Sequence, residues 1–319
     1  MRVLHTLNLY AQDPTRYFHF SDYEKVCGNF ILLEGGFTKP NYWNKYGFSV
    51  KELAELKSHK IVMMEFEEPT KPFVGDYPEV YSKDFHKILT LCPYTADYLN
   101  RKYHENKRIP IFFPFNERYI PRKRKKTIDV LYSGHLFAGE LTSMLQSLRK
   151  FRLAVISNSK DPLVTHQSVS YREKIKLYSQ SKIIIVHNVL FKQPLHRIIN
   201  VWLSGQWGQN KAFDEIPAPW RPWELFKKHM YVPHLKSRAF EAAFSRSLIL
   251  CQRDPFNVIE RYFKPDREFI YFEPDNLKET VAGILSHYDD YQGIIDRAYK
   301  RAIRSYTVKA FVRKYLKKI

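Results

Sequence analysis

The sequence predicts an α/β protein made of two domains, each with a parallel sheet. The chain has 319 residues, which is too long for one ordinary core and suits two domains of about 150 residues each. In both halves, short apolar runs alternate with stretches that fit helices. Between the halves, residues 114–127 contain Pro114, Pro121 and a cluster of Lys and Arg, a composition that indicates a linker.

The first half contains five apolar runs, each long enough for one strand. These runs are 3–9, 30–33, 60–64, 87–91 and 109–113. Stretches that fit helices lie between them, among them 50–58 and 94–104. Strands of this length that alternate with helices are typical of a parallel sheet. We therefore expect a first α/β domain over residues 1–115 and a basic linker over 116–127.

The second half repeats this alternation. The stretch "IDVLYSG" predicts a strand that ends in a glycine turn, and residues 141–150 fit a helix. "FRLAVIS" and "KIIIVHN" predict further strands, and "SYREKIKLYSQS" between them predicts a helix capped by its first serine. The apolar run in "KIIIVHN" is typical of a strand buried on both faces. "SLILCQ" and "FIYF" predict two more strands, "PFNVIERYF" a helix between them, and helices follow from residue 276 onward.

Several catalytic motifs are missing from the chain, which narrows its chemistry. The sequence has no GxGxxG after the first strand of either half, no GxxxxGK[ST], no HExxH and no GxSxG. Asp289 and Asp290 lie in helical surroundings, where a solvated helix end explains them better than a metal site. We therefore expect a site without metal or cofactor. In open α/β sheets ligands bind beyond the carboxyl ends of the strands, so two facing domains suit a transferase with two substrates.

Most of the net charge lies in two segments. The net charge is +19, and residues 118–126 and 297–319 contribute six and nine basic residues with no acid. Such segments bind polyanions or anionic membranes, although a solvated surface explains them equally well.

Nucleic-acid binding is one alternative function, but no DNA- or RNA-reading motif supports it. Membrane attachment is another, because apolar residues near the chain end lie among cations, as in interfacial helices. They are Ala298, Ala302, Ile303, Tyr306, Val312, Tyr315 and Leu316.

The cysteines and the opening residues favour a cytoplasmic location. Cys27, Cys92 and Cys251 lie far apart and form no CxxC pair, which suggests neither a disulfide framework nor a zinc site. The opening "MRVLHTLNLYAQDP" is too polar for a secretory signal and fits a first strand. No apolar run approaches the roughly 20 residues of a membrane span.

The stretch "VPHLKSRAFEAAFSRSLILCQRDP" places a lone carboxylate, Glu241, in a helix of small and aromatic residues. The core-facing stripe of a helix over 236–246 consists of Phe240, Ala243 and Phe244. Glu241 lies about 100° away from that stripe, so we expect it to look along the domain surface and to accept the hydroxyls of a ribose. The structural alternative is an ion pair with Arg238 or Arg246.

The start of the same helix carries residues that suit a diphosphate. Lys236, Ser237 and Arg238 lie there, and the helix dipole adds to their attraction for anions. In "YSGHL", Gly134 permits a tight turn after a strand, where Ser133, His135 and backbone N–H groups can contact phosphate. Turns without a ligand contain such glycines as well, so this motif alone decides nothing.

Residues 170–316 resemble the C-terminal domain of GT-B glycosyltransferases, in particular the exostosin-like and spore-maturation-like groups. The resemblance is carried by "SYREKIKLYSQSKIIIVHN", "HLKSRAFEAAFSRSLILCQRD", "FIYFEPDNLKETVAGIL" and "AYKRAIRSYTVKAFVRKYL". It implies two Rossmann-like domains that face each other across a cleft, with the nucleotide-sugar site in a C-terminal domain over 128–300. It also implies that residues 301–319 form a helix that packs back on an N-terminal, acceptor-side domain.

By this resemblance, Glu241 binds the ribose and Arg238 the diphosphate of a nucleoside diphosphate sugar, usually a UDP-sugar. Many retaining members carry a second glutamate eight positions earlier, where this chain has Pro233, and a glycine after the helix, where it has residues 245–247, "SRS". Both departures favour an inverting transfer. We expect a metal-independent enzyme that acts on a glycan or another hydroxyl acceptor.

An inverting transfer needs a base for the acceptor hydroxyl and positive charge for the leaving diphosphate. We expect the base to come from the N-terminal half, where Asp13, Glu34 and Glu67 are candidates at strand ends or loops. Glu34 lies beside paired glycines in "LLEGGF", which let a ligand approach the backbone, although a plain turn explains these glycines better. The Trp-rich stretch 202–223 is either a stacking platform for the acceptor or the cover of a core edge. The expected partners are therefore a sugar donor, a glycan or glycoconjugate acceptor and an anionic membrane surface reached through the C-terminal helix, with no nucleic acid.

Overall fold

The computed structural model describes residues 4–5, 30–34, 60–65, 86–91, 93, 96, 100–101, 104–136, 139–192, 231–233, 235–254 and 257–318. The predictions for the helix at 50–58 and for the Trp-rich stretch 202–223 lie outside these residues.

The first part of the chain forms a five-stranded parallel sheet. Its strands are β1 (Leu4–His5), β2 (Phe30–Glu34), β3 (Lys60–Glu65), β4 (Lys87–Thr90) and β5 (Arg108–Pro110). The strands lie in the order in which they follow along the chain, and each is parallel to its neighbour. The last strand was predicted to reach residue 113 but ends at Pro110. Ile111 still donates its backbone N–H to the Thr90 carbonyl oxygen at 2.8 Å, and residues 111–113 bury their side chains in the core beside the chain end.

The second part forms another five-stranded parallel sheet. Its strands are β6 (Ile128–Ser133), β7 (Leu153–Ile156), β8 (Ser181–Val186), β11 (Leu248–Gln252) and β12 (Ile270–Phe272). They lie in the order β12-β11-β8-β6-β7 and are all parallel. A separate antiparallel pair consists of β9 (Val189–Lys192) and β10 (Tyr231–Pro233). The predicted α/β class with two parallel sheets is therefore confirmed.

Six α-helices are described alongside the second sheet. They are α1 (Gly139–Ser147), α2 (Tyr171–Gln180), α3 (Arg238–Phe244), α4 (Leu277–Ser286), α5 (Gln292–Ser305) and α6 (Val308–Tyr315). Ser170 caps α2 as predicted, because its side chain accepts a hydrogen bond from the backbone N–H of Glu173 at 3.1 Å. The helix predicted in "PFNVIERYF" is only a 3₁₀ turn at Val258–Arg261.

The second sheet is buried on both faces, as the apolar run of β8 predicts. Successive side chains of a strand point to opposite faces. Ile183 and Ile185 belong to the core shared with α1 and α4, whereas Ile184 and Val186 belong to the core shared with α2, α3, α5 and α6. The two cores hold α2 and α3 against the sheet. Each of these helices begins near the carboxyl edge of the strands.

The chain end packs on residues that follow the first sheet. Phe115 and Thr307 form a β-bridge, and the Phe112 ring lies 5.6 Å from the Phe311 ring and 5.5 Å from the Tyr315 ring. The apolar residues on which the interfacial-helix interpretation depends are thus buried in the protein, apart from Ile303, which is 37% exposed. That interpretation of their exposure was wrong, because the six buried residues belong to the hydrophobic core that also contains Phe112. No helix in the described residues is long and apolar enough to cross a membrane.

Candidate functional site

The second sheet changes direction between β6 and β8. From β6 the chain first adds β7 on one side, and then returns to add β8 on the other. The helices that follow two such strands lie on opposite faces, so a crevice opens at the carboxyl ends of the strands, which is where α/β sheets bind ligands. In this chain the crevice lies between the turn after β6, at Gly134, and His187 after β8.

Arg238, the first residue of α3, reaches this crevice. Its Nη1 donates a hydrogen bond to the His187 carbonyl oxygen at 3.0 Å, and its guanidinium lies 5.2 Å from the centre of the Tyr132 ring. Gly134 has a φ of +144°, and a Cβ built on it would lie only 2.7 Å from Nη2 of Arg238. The glycine therefore serves two purposes, because it permits this backbone conformation and leaves room for the guanidinium. A positive charge beside an open backbone turn suits a phosphate.

His187 contributes to the site as a neutral group. Burial, and then the positive charge of Arg238, lower its pKa from 6.5 to about 3. At neutral pH the imidazole is therefore uncharged, and Arg238 supplies the positive charge at this point of the crevice.

Glu241 lies one turn further along α3, but it does not look along the surface as predicted. Its side chain is 1% exposed and pairs with Lys174 of α2, with Nζ 2.6 Å from Oε2. The prediction failed because residues 239–244 are all buried, so α3 has no solvent-facing side to which a carboxylate could turn. The expected ion-pair partners were Arg238 or Arg246, and the structure shows a partner from α2, Lys174.

A buried hydrogen bond joins the Glu241 region to the turn after β6. The Tyr178 hydroxyl lies 2.6 Å from Oγ of Ser133, the residue before Gly134. Burial, followed by the negative charge of Glu241, raises the pKa of Tyr178 well above its usual value, so its hydroxyl keeps its proton. Ser133, Tyr178, Lys174 and Glu241 thus form one connected set of polar groups next to Arg238 and Gly134.

Two buried acceptors lie at the carboxyl ends of neighbouring strands. Asn188 Oδ1 follows β8 and Gln252 Oε1 ends β11, and neither accepts a hydrogen bond from the part of the chain that the structure describes. Buried acceptors without donors are rare and need a water or ligand to satisfy them. Their position at the same edge of the sheet is consistent with a ligand site there.

The remaining predicted site residues are less well placed or lie outside the described part. Ser237 is buried and does not cap α3 through its side chain, Lys236 is partly exposed, and His135 is exposed at the rim of the crevice. Glu34 ends β2, where only its backbone is described, and Asp13 and Glu67 lie outside the described residues. The structure therefore brings together Ser133, Gly134, Arg238 and Glu241, and leaves the three candidate bases as predictions.

The sequence reasoning missed Lys174, Tyr178, His187 and Tyr132. Tyr171, Lys174 and Tyr178 follow one another at i, i+3 and i+7, which places a lysine on the same side of α2 as two aromatic rings. That spacing was the available signal for Lys174.

Among the described residues, no group of three His, Cys, Asp or Glu side chains lies close enough to hold a metal ion.

Comparison with protein families decides the class. A family model described as "Glycosyl transferase-like" matches residues 140–317, which is more than half of the chain. The chain belongs to this glycosyltransferase family. The match includes α2, α3 and the crevice residues from Tyr171 onward, whereas Ser133 and Gly134 lie just before it.

Solved glycosyltransferases of the GT-B class share the fold of this family member. Anabaena Alr3699/HepE in complex with UDP-glucose has a TM-score of 0.55 and 8% identity, over 91% of this chain and 79% of that one. A glycosyltransferase from Rickettsia africae has a TM-score of 0.52 and 12% identity, over 93% and 78%. The pneumococcal O-GlcNAc transferase GtfA, in complex with UDP and GlcNAc, has a TM-score of 0.53 and 9% identity, over 94% and 58%. At these identities the likeness establishes the GT-B fold of two Rossmann-like domains.

The chain spans only part of the length of some of these relatives. It covers 58% of the length of the pneumococcal enzyme. A comparison with curated protein sequences finds no match. The exostosin-like or spore-maturation-like subgroup suggested by the sequence therefore stays a prediction.

Proposed function

We propose that the chain transfers a sugar from a UDP-linked donor to a hydroxyl of a glycan or glycoconjugate. In this proposal Arg238 and the turn at Gly134 bind the diphosphate, and Glu241 binds the ribose. The observation that carries it is the Arg238 guanidinium, held at 3.0 Å from the His187 carbonyl against a glycine turn at the point where the sheet changes direction. UDP is the nucleotide named for the Anabaena and pneumococcal structures that share the fold.

The leaving UDP requires positive charge as the bond to the sugar breaks. Arg238 supplies it without a metal ion in this proposal, assisted by backbone N–H groups of the Gly134 turn and by Lys236.

The transfer inverts the anomeric configuration, because Pro233 stands where many retaining relatives carry a second glutamate. The base that deprotonates the acceptor then comes from Asp13, Glu34 or Glu67. NMR assignment of the anomeric configuration of the product, with the base variants Asp13→Ala, Glu34→Ala and Glu67→Ala, tests both points.

A thermal-shift screen against UDP, GDP, ADP and CDP tests the donor. A ligand that binds only the folded state raises the melting temperature. We expect UDP to give the largest rise, and the Glu241→Ala variant to lose most of it. A UDP-sugar panel, with release of UDP as the readout, then identifies the sugar. The proposal is wrong if none of the four nucleotides raises the melting temperature of the wild type.

The proposed location is cytoplasmic, at the surface of an anionic membrane. Exposed Lys and Arg side chains cover the linker and the outward faces of α5 and α6, and α6 shows no exposed acid. These residues are Arg118, Arg122, Lys123, Arg124, Lys125, Arg297, Lys300, Arg304, Lys309, Arg313 and Lys314. Each cation near an anionic bilayer contributes about 1 kcal/mol to binding. Sedimentation with vesicles of anionic or of neutral lipid tests this, and equal sedimentation with both contradicts it.

A further inference from the structure

A lysine of α2 covers the carboxylate that is proposed to bind the ribose. The two side chains lie 67 residues apart in sequence, and Lys174 Nζ is 2.6 Å from Glu241 Oε2. The carboxylate side chain is 1% exposed, whereas the lysine side chain is 12% exposed. A carboxylate buried this deeply keeps its charge only if a cation or several donors lie beside it.

We propose that Lys174 is a positioning residue of the donor site, which keeps Glu241 charged and directed at the two ribose hydroxyls. This inference rests on the proposed function, because it assumes that a ribose reaches Glu241. Lys174 acts through the carboxylate and takes no part in the chemical step.

The difference in exposure places the Lys174 ammonium between the Glu241 carboxylate and the solvent. Lys174 is the more exposed member of the pair, so a ligand reaches the carboxylate from the lysine side. The two oxygens of a carboxylate offer about four acceptor sites, so a carboxylate can bind an ammonium and ribose hydroxyls together. The flexible stem of lysine lets the ammonium tilt outward and admit a ribose while it stays near the carboxylate. Its ammonium also lies 5.8 Å and 5.3 Å from the ring centres of Tyr171 and Tyr178, which bound this movement.

The same helix supports the diphosphate side of the site. Tyr178 lies one turn after Lys174, and its hydroxyl bonds Oγ of Ser133 at 2.6 Å, next to the Gly134 turn. Burial, and then the negative charge of Glu241, raise the pKa of this tyrosine above its usual value. One rigid helix therefore sets the distance between the ribose contact and the phosphate turn.

The test compares the binding of UDP and 2′-deoxy-UDP by calorimetry in four proteins: the wild type, Lys174→Met, Lys174→Arg and Lys176→Met. Lys176 is the matched control, because it lies on the same helix but pairs with Glu173 at the surface, at 3.1 Å. We expect Lys174→Met to weaken UDP binding at least about tenfold, because the loss of one charge-assisted hydrogen bond has an effect of this size. We also expect this variant to show a smaller preference for UDP over 2′-deoxy-UDP. Lys174→Arg should keep most of the UDP affinity and most of the preference for UDP over 2′-deoxy-UDP. Lys176→Met should behave as the wild type.

The preference for the ribose separates positioning from a purely structural role, since loss of stability alone does not change the ratio of two affinities. Should Lys174→Met fail to fold, Lys174→Gln replaces it, because glutamine keeps a donor but lacks the charge. A folded variant of either kind that binds UDP as tightly as the wild type, with the same preference, overturns the inference. A wild type that binds neither nucleotide instead overturns the proposed function together with this inference.

Discussion

The Arg238 guanidinium occupies the space in which residue 134 would carry a side chain. A Cβ on Gly134 would lie 2.7 Å from Nη2 of Arg238 and 2.9 Å from the Tyr132 hydroxyl oxygen. Residue 134 is therefore restricted to glycine both by its φ of +144° and by its neighbours. This relationship couples the turn after β6 to the first residue of α3, so one added methyl group at residue 134 would disturb the proposed phosphate contact.

We expect Gly134→Ala to weaken UDP binding at least about tenfold, since the new methyl group displaces Arg238 and strains the turn. Gly283→Ala is the matched control, because a Cβ there meets nothing within 4 Å and alanine favours the helix by about 1 kcal/mol. Calorimetry with UDP and the melting temperatures of both variants check this. Wild-type affinity in a folded Gly134→Ala protein would show that the turn does not contact the donor.

We expect Arg238→Met to weaken UDP binding by about ten- to a hundredfold, because one charge-assisted contact to the diphosphate is lost. Uridine lacks the diphosphate, so its affinity should change much less. Arg152→Met is the control, since Arg152 pairs with Asp129 at 2.8 Å before β7, at the opposite edge of the sheet. An equal loss for UDP and uridine would assign Arg238 to structure and not to phosphate binding.

The sequence was informative wherever one local pattern decided the structure. The apolar run of β8 predicted a strand buried on both faces, and Ser170 predicted the start of α2. Local patterns failed where distant parts of the chain meet. The exposure of Glu241 was mispredicted because α3 is enclosed on all sides, and no spacing within α3 indicates Lys174. Likewise, the pattern of apolar residues in the last helices fits an interfacial helix, but in the structure Phe112 packs against Phe311 on this side.

The acid stability of the protein should depend on His187. Its pKa is near 6.5 in an unfolded chain and about 3 in the folded protein, so between these values the unfolded state binds more protons. The contribution of His187 to the free energy of unfolding therefore falls as the pH drops from about 6.5 towards 3. Urea unfolding of the wild type and His187→Gln should show the variant losing less stability over this range. Parallel losses in the two proteins would contradict the burial of a neutral imidazole.

The stability of the protein in the alkaline range should depend on Lys126, which lies beside the end of α3. Its Nζ donates to Ser247 Oγ at 3.0 Å, and burial, Arg246 and Lys123 lower its pKa from 10.5 to about 7. Between these values the unfolded chain binds more protons, so the contribution of Lys126 to stability rises as the pH increases from about 7. The wild type should gain stability relative to Lys126→Met between pH 6.5 and 9.5. A constant difference between the two urea midpoints would show that the ammonium is solvated.

The most direct measurement is a crystal structure of the protein with UDP. It should place both ribose hydroxyl oxygens within about 3.2 Å of the Glu241 carboxylate oxygens, with the diphosphate between Arg238 and the Gly134 turn. A nucleotide bound elsewhere, or a ribose out of reach while Lys174 still covers the carboxylate, would contradict the proposed donor site.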